Sequence, residues 1–162
     1  MPGTTYLVYR NVGVGTLMKP IEDGLFTIPA GEDEEPHLLG GKCPDCDEVF
    51  FPNKARCDLC GGELESTTLS NEGEVWSCSS IVYENRMPPG YEGELPYAFG
   101  WVELPEGITV MSRLTGFDYD DPLPVGTPVR LTLEELKRDE DGEPVVFFSF
   151  EPTATAEVEL AG

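Results

Sequence analysis

Four cysteines decide the fold of this chain, in the stretches Cys43-Pro44-Asp45-Cys46 and Cys57-Asp58-Leu59-Cys60. A Cys-x-x-Cys knuckle lets both sulfurs reach one ion, and two knuckles supply the four thiolates of a closed tetrahedral shell. The gap between the knuckles is shorter than in most zinc ribbons, so we expect a tight hairpin through Phe50-Phe51-Pro52-Asn53. Cys43, Cys46, Cys57 and Cys60 are therefore predicted to bind one structural Zn²⁺ per chain, with no position open for water or substrate. Gly61-Gly62 fits this prediction, since a backbone that folds around a metal often needs positive φ.

Two alternatives use the same cysteines. A pair of disulfides is less favoured, because the thiols of an intracellular chain stay reduced. Rubredoxin-type iron is an alternative that the ligand pattern leaves open, although structural four-cysteine sites favour zinc.

The composition limits which partners the chain can have. The formal net charge is −21, from 31 acidic and 10 basic residues. A protein that neutralises phosphates needs clustered Lys and Arg, so we expect neither free nucleic acid nor an anionic membrane as a partner. The sequence contains no apolar run long enough to span a bilayer, and four of its five cysteines lie in the knuckles. These features predict a cytoplasmic protein.

The chain divides into four predicted segments. An N-terminal arm covers residues 1–36 and the zinc ribbon covers 37–70. A five-stranded β-domain covers 71–152, and a short tail covers 153–162. The Gly- and Pro-rich arm ends near the acidic run Glu32-Asp33-Glu34-Glu35, which is most simply a solvated linker.

The β-domain is predicted from short runs with period-two alternation, rich in aromatic and β-branched residues. Turn chemistry divides these runs, most clearly at Asp139-Glu140-Asp141-Gly142. Five strands in some eighty residues indicate a small barrel, for which the OB-fold is the best-known solution. The predicted strands are residues 73–83, 96–104, 108–115, 127–136 and 144–151. The predicted fold class is thus mainly β: a rubredoxin-like zinc ribbon followed by an OB-fold barrel.

Two further residues invite a catalytic interpretation, and both are better explained as structural. His37 is the only histidine, and four cysteines already fill a zinc shell. Cys78 is predicted to pack in the first barrel strand, on the same face as Trp76 and Val82, since a nucleophile would need a base beside it. We therefore expect no catalytic residues.

With the ribbon and barrel in place, the chain resembles a known family of zinc-ribbon plus OB-fold proteins, DUF35, over residues from about Leu38 to Pro152. Asp47 departs from the pattern, since a glycine usually follows the first knuckle. The Gly- and Pro-rich arm also takes the place of an N-terminal helix found in many members. The resemblance is carried by the knuckles, Phe51-Pro52, Leu64-Glu65, Leu69-Ser70, Met87-Pro88-Pro89-Gly90-Tyr91, Pro96-Tyr97, Val102-Glu103-Leu104 and Leu114-Thr115-Gly116-Phe117-Asp118.

This resemblance implies a non-catalytic accessory subunit that binds and activates a thiolase-fold enzyme and meets a CoA thioester through that partner. Within the family, the chain is most similar to the subunits that serve the benzoylsuccinyl-CoA thiolase of anaerobic toluene degradation. The partner surface is predicted at the loop between the first two barrel strands, with Arg86, Pro88, Pro89, Gly90 and Tyr91 near the CoA entrance.

The rival hypothesis is an independent OB-fold module that binds a ligand or nucleic acid. Such a module stacks bases on aromatic side chains in a positively charged groove. Trp76, Tyr97, Phe99 and Trp101 supply aromatic rings, but residues 94–107 contain no Lys or Arg. The charge therefore favours the accessory subunit.

Overall fold

The computed structural model describes residues 18–29, 34–83 and 95–153. These residues form nine strands and no helix, so this part of the chain has no helix that could cross a membrane. The strands are β1 (Lys19–Pro20), β2 (Leu39–Lys42), β3 (Val49–Phe50), β4 (Glu65–Thr68), β5 (Glu72–Ile81), β6 (Tyr97–Glu103), β7 (Thr109–Leu114), β8 (Pro128–Arg138) and β9 (Pro144–Pro152).

Strands β5 to β9 form the predicted five-stranded barrel. Their order is β9-β7-β6-β5-β8, and β8 closes the barrel by pairing with β9. The alternation along β6 shows why these residues form a barrel wall: Ala98 and Val102 are fully buried, whereas Tyr97 and Trp101 lie on the outer face. The predicted fold class is confirmed.

A β-bulge in β5 overturns one detail of the sequence analysis. Val75 pairs with Val102, but the next pair is Ser77 with Trp101, so Trp76 is an extra residue in the ladder. The bulge shifts the period-two alternation by one residue. As a result Trp76 is 56% exposed while Cys78 packs against the core, and the prediction that they share a face is wrong.

The β8–β9 hairpin turns where the acidic sequence predicted it. Asp139 Oδ1 accepts hydrogen bonds from the backbone N–H groups of Asp141 (3.0 Å) and Glu143 (2.9 Å), and Gly142 takes a φ of +80°. This use of an Asp side chain and a left-handed glycine is typical of tight turns.

The described part of the N-terminal segment packs on the barrel. β1 pairs in parallel with β9, and Phe26 bridges to Leu38 with only 4% of its surface exposed. Lys19 Nζ lies 2.7 Å from Asp139 and 2.8 Å from Glu143. Its ammonium group holds the pKa of the Asp139 carboxyl below the usual range. Residues 18–29 thus contribute to the core, although the predicted segment boundaries stay predictions.

The ribbon and the barrel share one hydrophobic core. Leu38 and Leu69 from the ribbon side are buried in the same cluster as Phe148 and Phe150 of β9. A hairpin turn was expected over residues 50–53, but Phe50 ends β3, which pairs with β2 across the first knuckle. The ring of Phe51, the residue after β3, meets Phe148 edge-on with 5.7 Å between ring centroids. The ribbon is therefore an integral part of the fold.

Backbone hydrogen bonds brace the junction between the two parts. Leu69 N donates to Leu38 O at 2.9 Å, Ser70 N donates to Glu106 Oε2 at 2.7 Å, and Leu131 N donates to Asn71 O at 2.7 Å. Each of these bonds joins the junction to a different part of the chain. Three consecutive residues of the junction, Leu69, Ser70 and Asn71, are thus hydrogen-bonded to three different parts of the chain.

Candidate metal centre

A three-stranded sheet in the order β3-β2-β4 places the two knuckles beside each other. The first knuckle connects β2 to β3, and the second precedes β4. The four sulfurs of Cys43, Cys46, Cys57 and Cys60 all lie within 4.8 Å of one another. The structure thus brings together all four of the cysteines that the sequence pattern singled out.

The distances between the sulfurs fit a metal shell and not disulfides. Cys43 Sγ lies 3.4 Å from Cys60 Sγ, and Cys46 Sγ lies 3.6 Å from Cys57 Sγ. A disulfide needs about 2.05 Å, whereas Zn–S bonds of about 2.3 Å in a tetrahedron separate the sulfurs by about 3.8 Å. All five cysteines are free, so the donor set suits one thiophilic metal ion.

The two knuckles have the same backbone conformation. Asp47 N donates to Cys43 O at 2.9 Å, and Gly61 N donates to Cys57 O at 3.0 Å. Both donors adopt a left-handed conformation, with φ of 63° at Asp47 and 77° at Gly61. This explains the departure noted in the sequence: Asp47 takes the conformation that glycine adopts most easily.

Gly62 differs from Gly61 in what an added side chain would meet. A Cβ at position 62 would lie 2.6 Å from Asp45 Oδ2 and 3.4 Å from Cys60 Sγ, whereas a Cβ at Gly61 would meet nothing within 4 Å. Positive φ was the expected role of both glycines, and it holds at Gly61 only. At Gly62 the absence of a side chain leaves room for the Asp45 carboxylate, whereas a Cβ would be in ordinary contact with the Cys60 sulfur.

Backbone N–H groups favour the thiolate forms of the sulfurs, although neighbouring sulfurs and burial raise the pKa of the Cys46 and Cys60 thiols overall. The N–H groups of Cys60 and then Leu59 lower the pKa of the Cys57 thiol to about 7, against the opposing effect of burial. Cys43 and Cys57 are buried, whereas Cys60 lies at the surface. The knuckles therefore supply polar backbone groups to thiolates on both sides of the site, as a metal-binding shell requires.

Asp47→Gly is expected to stabilise the protein by about 0.5–1 kcal/mol. It relieves roughly 1–2 kcal/mol of left-handed strain and loses part of that gain to the greater freedom of the unfolded chain. The ion pair of Asp47 with Lys42 is long, at 3.9 Å, and exposed, so its loss counts for little. Chemical denaturation of the zinc-loaded protein measures the change.

The matched control is Gly61→Ala, which introduces at the second knuckle the strain that Asp47→Gly removes at the first. We expect it to lower the free energy of unfolding by a similar amount. Equal stability of the parent and both variants would contradict the account of the two knuckles.

His37 lies at the junction of the ribbon and the barrel. Its Nδ1 is 3.0 Å from Leu69 O, and its backbone N donates to Thr27 Oγ1 at 2.9 Å. These bonds tie the N-terminal segment to the ribbon. They give His37 a structural role.

Cys78 is half-buried against the core, and burial raises the pKa of its thiol. A protonated thiol is poorly suited to be a nucleophile, and the His37 imidazole is engaged with Leu69 O. The predicted partner residues Arg86, Pro88, Pro89, Gly90 and Tyr91 lie outside the described residues.

Sequence reasoning missed a buried polar group on the outer face of the barrel. Glu134, 6% exposed, accepts a hydrogen bond from Ser149 Oγ and lies 3.4 Å from Arg113 Nε. The three residues come from β8, β9 and β7, so their meeting depends on strand order. The only signal along the chain was an acidic residue within the alternating run of β8.

A four-cysteine ribbon packed on a closed five-stranded barrel defines the class of zinc-ribbon plus OB-fold proteins. Two family models match in tandem: the rubredoxin-like zinc ribbon domain of ChsH2 over residues 32–65, and the C-terminal OB-fold domain of ChsH2 over residues 66–134. The chain belongs to this family, which includes the DUF35 proteins.

Curated relatives and a solved structure agree with the assignment. The chain is 32% identical over 132 residues to the benzoylsuccinyl-CoA thiolase subunit BbsA of Thauera aromatica, covering 78% of this chain and 83% of that protein. It is 33% identical over 119 residues to a DUF35 domain-containing scaffold protein of Methanothermobacter thermautotrophicus, covering 72% of this chain and 86% of that protein. The structure of an Ltp2-ChsH2(DUF35) aldolase superposes with a TM-score of 0.55 at 26% identity, covering 72% of this chain and 84% of that chain.

Proposed function

We propose that this chain is a non-catalytic accessory subunit that binds and activates a thiolase-fold enzyme acting on an acyl-CoA. The observation that carries the proposal is the similarity to BbsA, a protein named as a subunit of a thiolase. This similarity extends over 78% of this chain. Benzoylsuccinyl-CoA is the candidate substrate of the partner on the same ground. The scaffold proteins and the Ltp2-ChsH2 aldolase support the wider role of a subunit in an enzyme complex.

The chemistry of the described residues supports a non-catalytic role. The thiol of Cys78 is favoured in its protonated form, and His37 is engaged with Leu69 O at 3.0 Å. The four-cysteine group offers a closed shell, in which no ligand position is left for a substrate. Acyl transfer would therefore take place on the partner.

We further propose that the metal is Zn²⁺, bound by Cys43, Cys46, Cys57 and Cys60. When bound, zinc supplies a structural crosslink between the knuckles. The thiolate donors also suit iron, and elemental analysis of the purified chain distinguishes the two. We propose a cytoplasmic location as well, since free thiols persist in a reducing compartment.

The loop that joins β5 to β6 is proposed as one contact with the partner, near its CoA entrance. Pro88 and Pro89 restrict the backbone, so less conformational entropy is lost on docking. Tyr91 offers a large apolar face with a polar tip, and Arg86 is a cation available to a CoA phosphate.

The accessory role is tested by co-expressing the chain with each thiolase-fold protein of its host, one at a time. We expect one of them to co-purify with the zinc-loaded chain and to cleave an acyl-CoA faster in the complex than alone. The highly purified chain alone should turn over no acyl-CoA. The proposal is wrong if no thiolase-fold protein binds, or if the isolated chain has an activity that Cys78→Ser abolishes.

The same complex tests the loop. Combined Arg86→Ala and Tyr91→Ala should leave the fold and zinc content unchanged and weaken binding by roughly 2 kcal/mol or more if Tyr91 is a hot spot. Binding and activation equal to those of the parent would show that the loop only connects two strands.

A further inference from the structure

Three large apolar side chains form a row across the outer face of β5, β6 and β7. Trp101 lies directly opposite Met111 on β7 and opposite Ser77 on β5, beside the bulged Trp76. Trp76 is 56% exposed, Trp101 36% and Met111 54%. We call Trp76, Trp101 and Met111 the Trp-Met row.

Trp76 lies in this row at the β-bulge of β5. The bulge leaves Trp76 and Ser77 between the buried Val75 and Cys78, which packs against the core. The Trp76 indole is therefore at the surface beside Trp101. Aromatic residues and Met are enriched at the centres of protein interfaces, and exposed apolar clusters often mark such sites.

The neighbours of the row are acidic on one side. Glu74 pairs directly with Glu103 on the same outer face, and both side chains are exposed. On the other side Phe99 pairs with Arg113, which lies 3.4 Å from the carboxylate of Glu134. The Arg113 guanidinium, which is the positive charge on this side of the row, is therefore already paired with the Glu134 carboxylate.

The charges decide between possible occupants. The outer face of the second and third strands is where many OB-folds bind oligonucleotides, but a phosphate backbone would meet Glu74 and Glu103 here. A second copy of this chain would bring together two molecules that each carry a net charge of −21. A different protein, with an apolar surface and basic residues opposite the two glutamates, matches the row in both apolar character and charge.

We propose that the Trp-Met row docks the catalytic subunit of the acyl-CoA enzyme complex. This proposal rests on the proposed function, and it adds a site that the sequence analysis did not assign. Trp76 and Trp101 supply large rigid contact area at the centre, and Glu74 and Glu103 set the orientation from the rim.

The two tryptophans of the row are the only two in the chain, so tryptophan signals report on this surface alone. The chain is labelled with 5-fluorotryptophan, which distinguishes its signals from those of the partner. Accessibility is read from the broadening of the ¹⁹F resonances by TEMPOL, a neutral nitroxide that is not repelled by the acidic chain. In the isolated chain we expect both tryptophans to be accessible at every protein concentration, and in the complex with the co-purifying thiolase-fold subunit we expect both to be protected.

Binding of a Trp101→Thr, Met111→Thr variant to the same subunit is then compared with binding of the parent. We expect affinity to fall by at least about tenfold, with zinc content and fold unchanged. Leu136→Gln is the matched control, since Leu136 is a 40% exposed apolar residue on β8, near the turn at residues 139–142, and should bind like the parent.

The outcomes separate this proposal from the proposed function. If the parent binds and the double variant binds equally well, the docking surface lies elsewhere and the accessory role stands. If the parent binds no thiolase-fold subunit, the accessory role fails and this proposal fails with it. Protection of the tryptophans in the isolated chain also overturns the proposal: at low concentration it shows that the chain covers the row itself, and at high concentration only, that a second copy does.

Discussion

Replacing Cys57 by Ser is expected to release the metal and unfold the ribbon. Structural zinc contributes an apparent 10–16 kcal/mol or so in small zinc modules, which is as large as the whole stability of a typical domain, about 5–15 kcal/mol. The effect should extend into the barrel, because Leu38, Leu69 and Phe51 of the ribbon side pack with the barrel core. We therefore expect loss of the zinc and a much lower unfolding temperature.

Elemental analysis and thermal unfolding monitored by circular dichroism measure the two effects. Cys78→Ser is the matched control, because Cys78 is the one cysteine outside the knuckles and should leave the zinc in place. A parent protein without zinc, a parent with the spectrum of an iron site, or a Cys57→Ser variant as stable as the parent would each contradict the expectation.

Phe148→Ala should cost about 3–5 kcal/mol of unfolding free energy, the usual loss for a buried phenylalanine. Phe148 is 3% exposed and lies opposite Leu133 in the β8–β9 ladder. Its ring packs edge-on against those of Phe26 and Phe51, with 6.1 Å and 5.7 Å between ring centroids. One side chain thus joins the N-terminal segment, the ribbon and the barrel. The cavity would open where these three parts meet.

Chemical denaturation of the zinc-loaded variant measures this loss. Leu136→Ala is a suitable comparison, since Leu136 is apolar and on β8 but 40% exposed, and it should lose far less stability. Similar losses for the two variants would mean that Phe148 is not a central contact between the N-terminal segment, the ribbon and the barrel.

The elements of the fold were predictable because local signals determine them. Two Cys-x-x-Cys knuckles at short spacing predict a zinc ribbon, and the alternation in β6, β7 and β8 places the barrel strands to within a few residues. The turn at Asp139 to Gly142 was predictable from its own chemistry. All of these signals are contained in a few consecutive residues.

The errors and omissions involve contacts between distant residues. The bulge at Trp76 depends on how β5 pairs with β6, and nothing in the residues of β5 alone signals it. The meeting of Arg113, Glu134 and Ser149 depends on the order of three strands. The packing of Phe26 against the barrel is likewise a tertiary effect, which periodicity along the chain does not report.

The braced junction at Leu69, Ser70 and Asn71 has a mechanical consequence. A hinge needs backbone groups whose hydrogen bonds can be exchanged as the angle changes, and here consecutive residues are bound to three different parts of the chain. These bonds, with the shared core, therefore oppose a change in the angle between the metal centre and the outer face of the barrel. A protein bound at the ribbon thus has its orientation set relative to a protein bound at the outer face of the barrel.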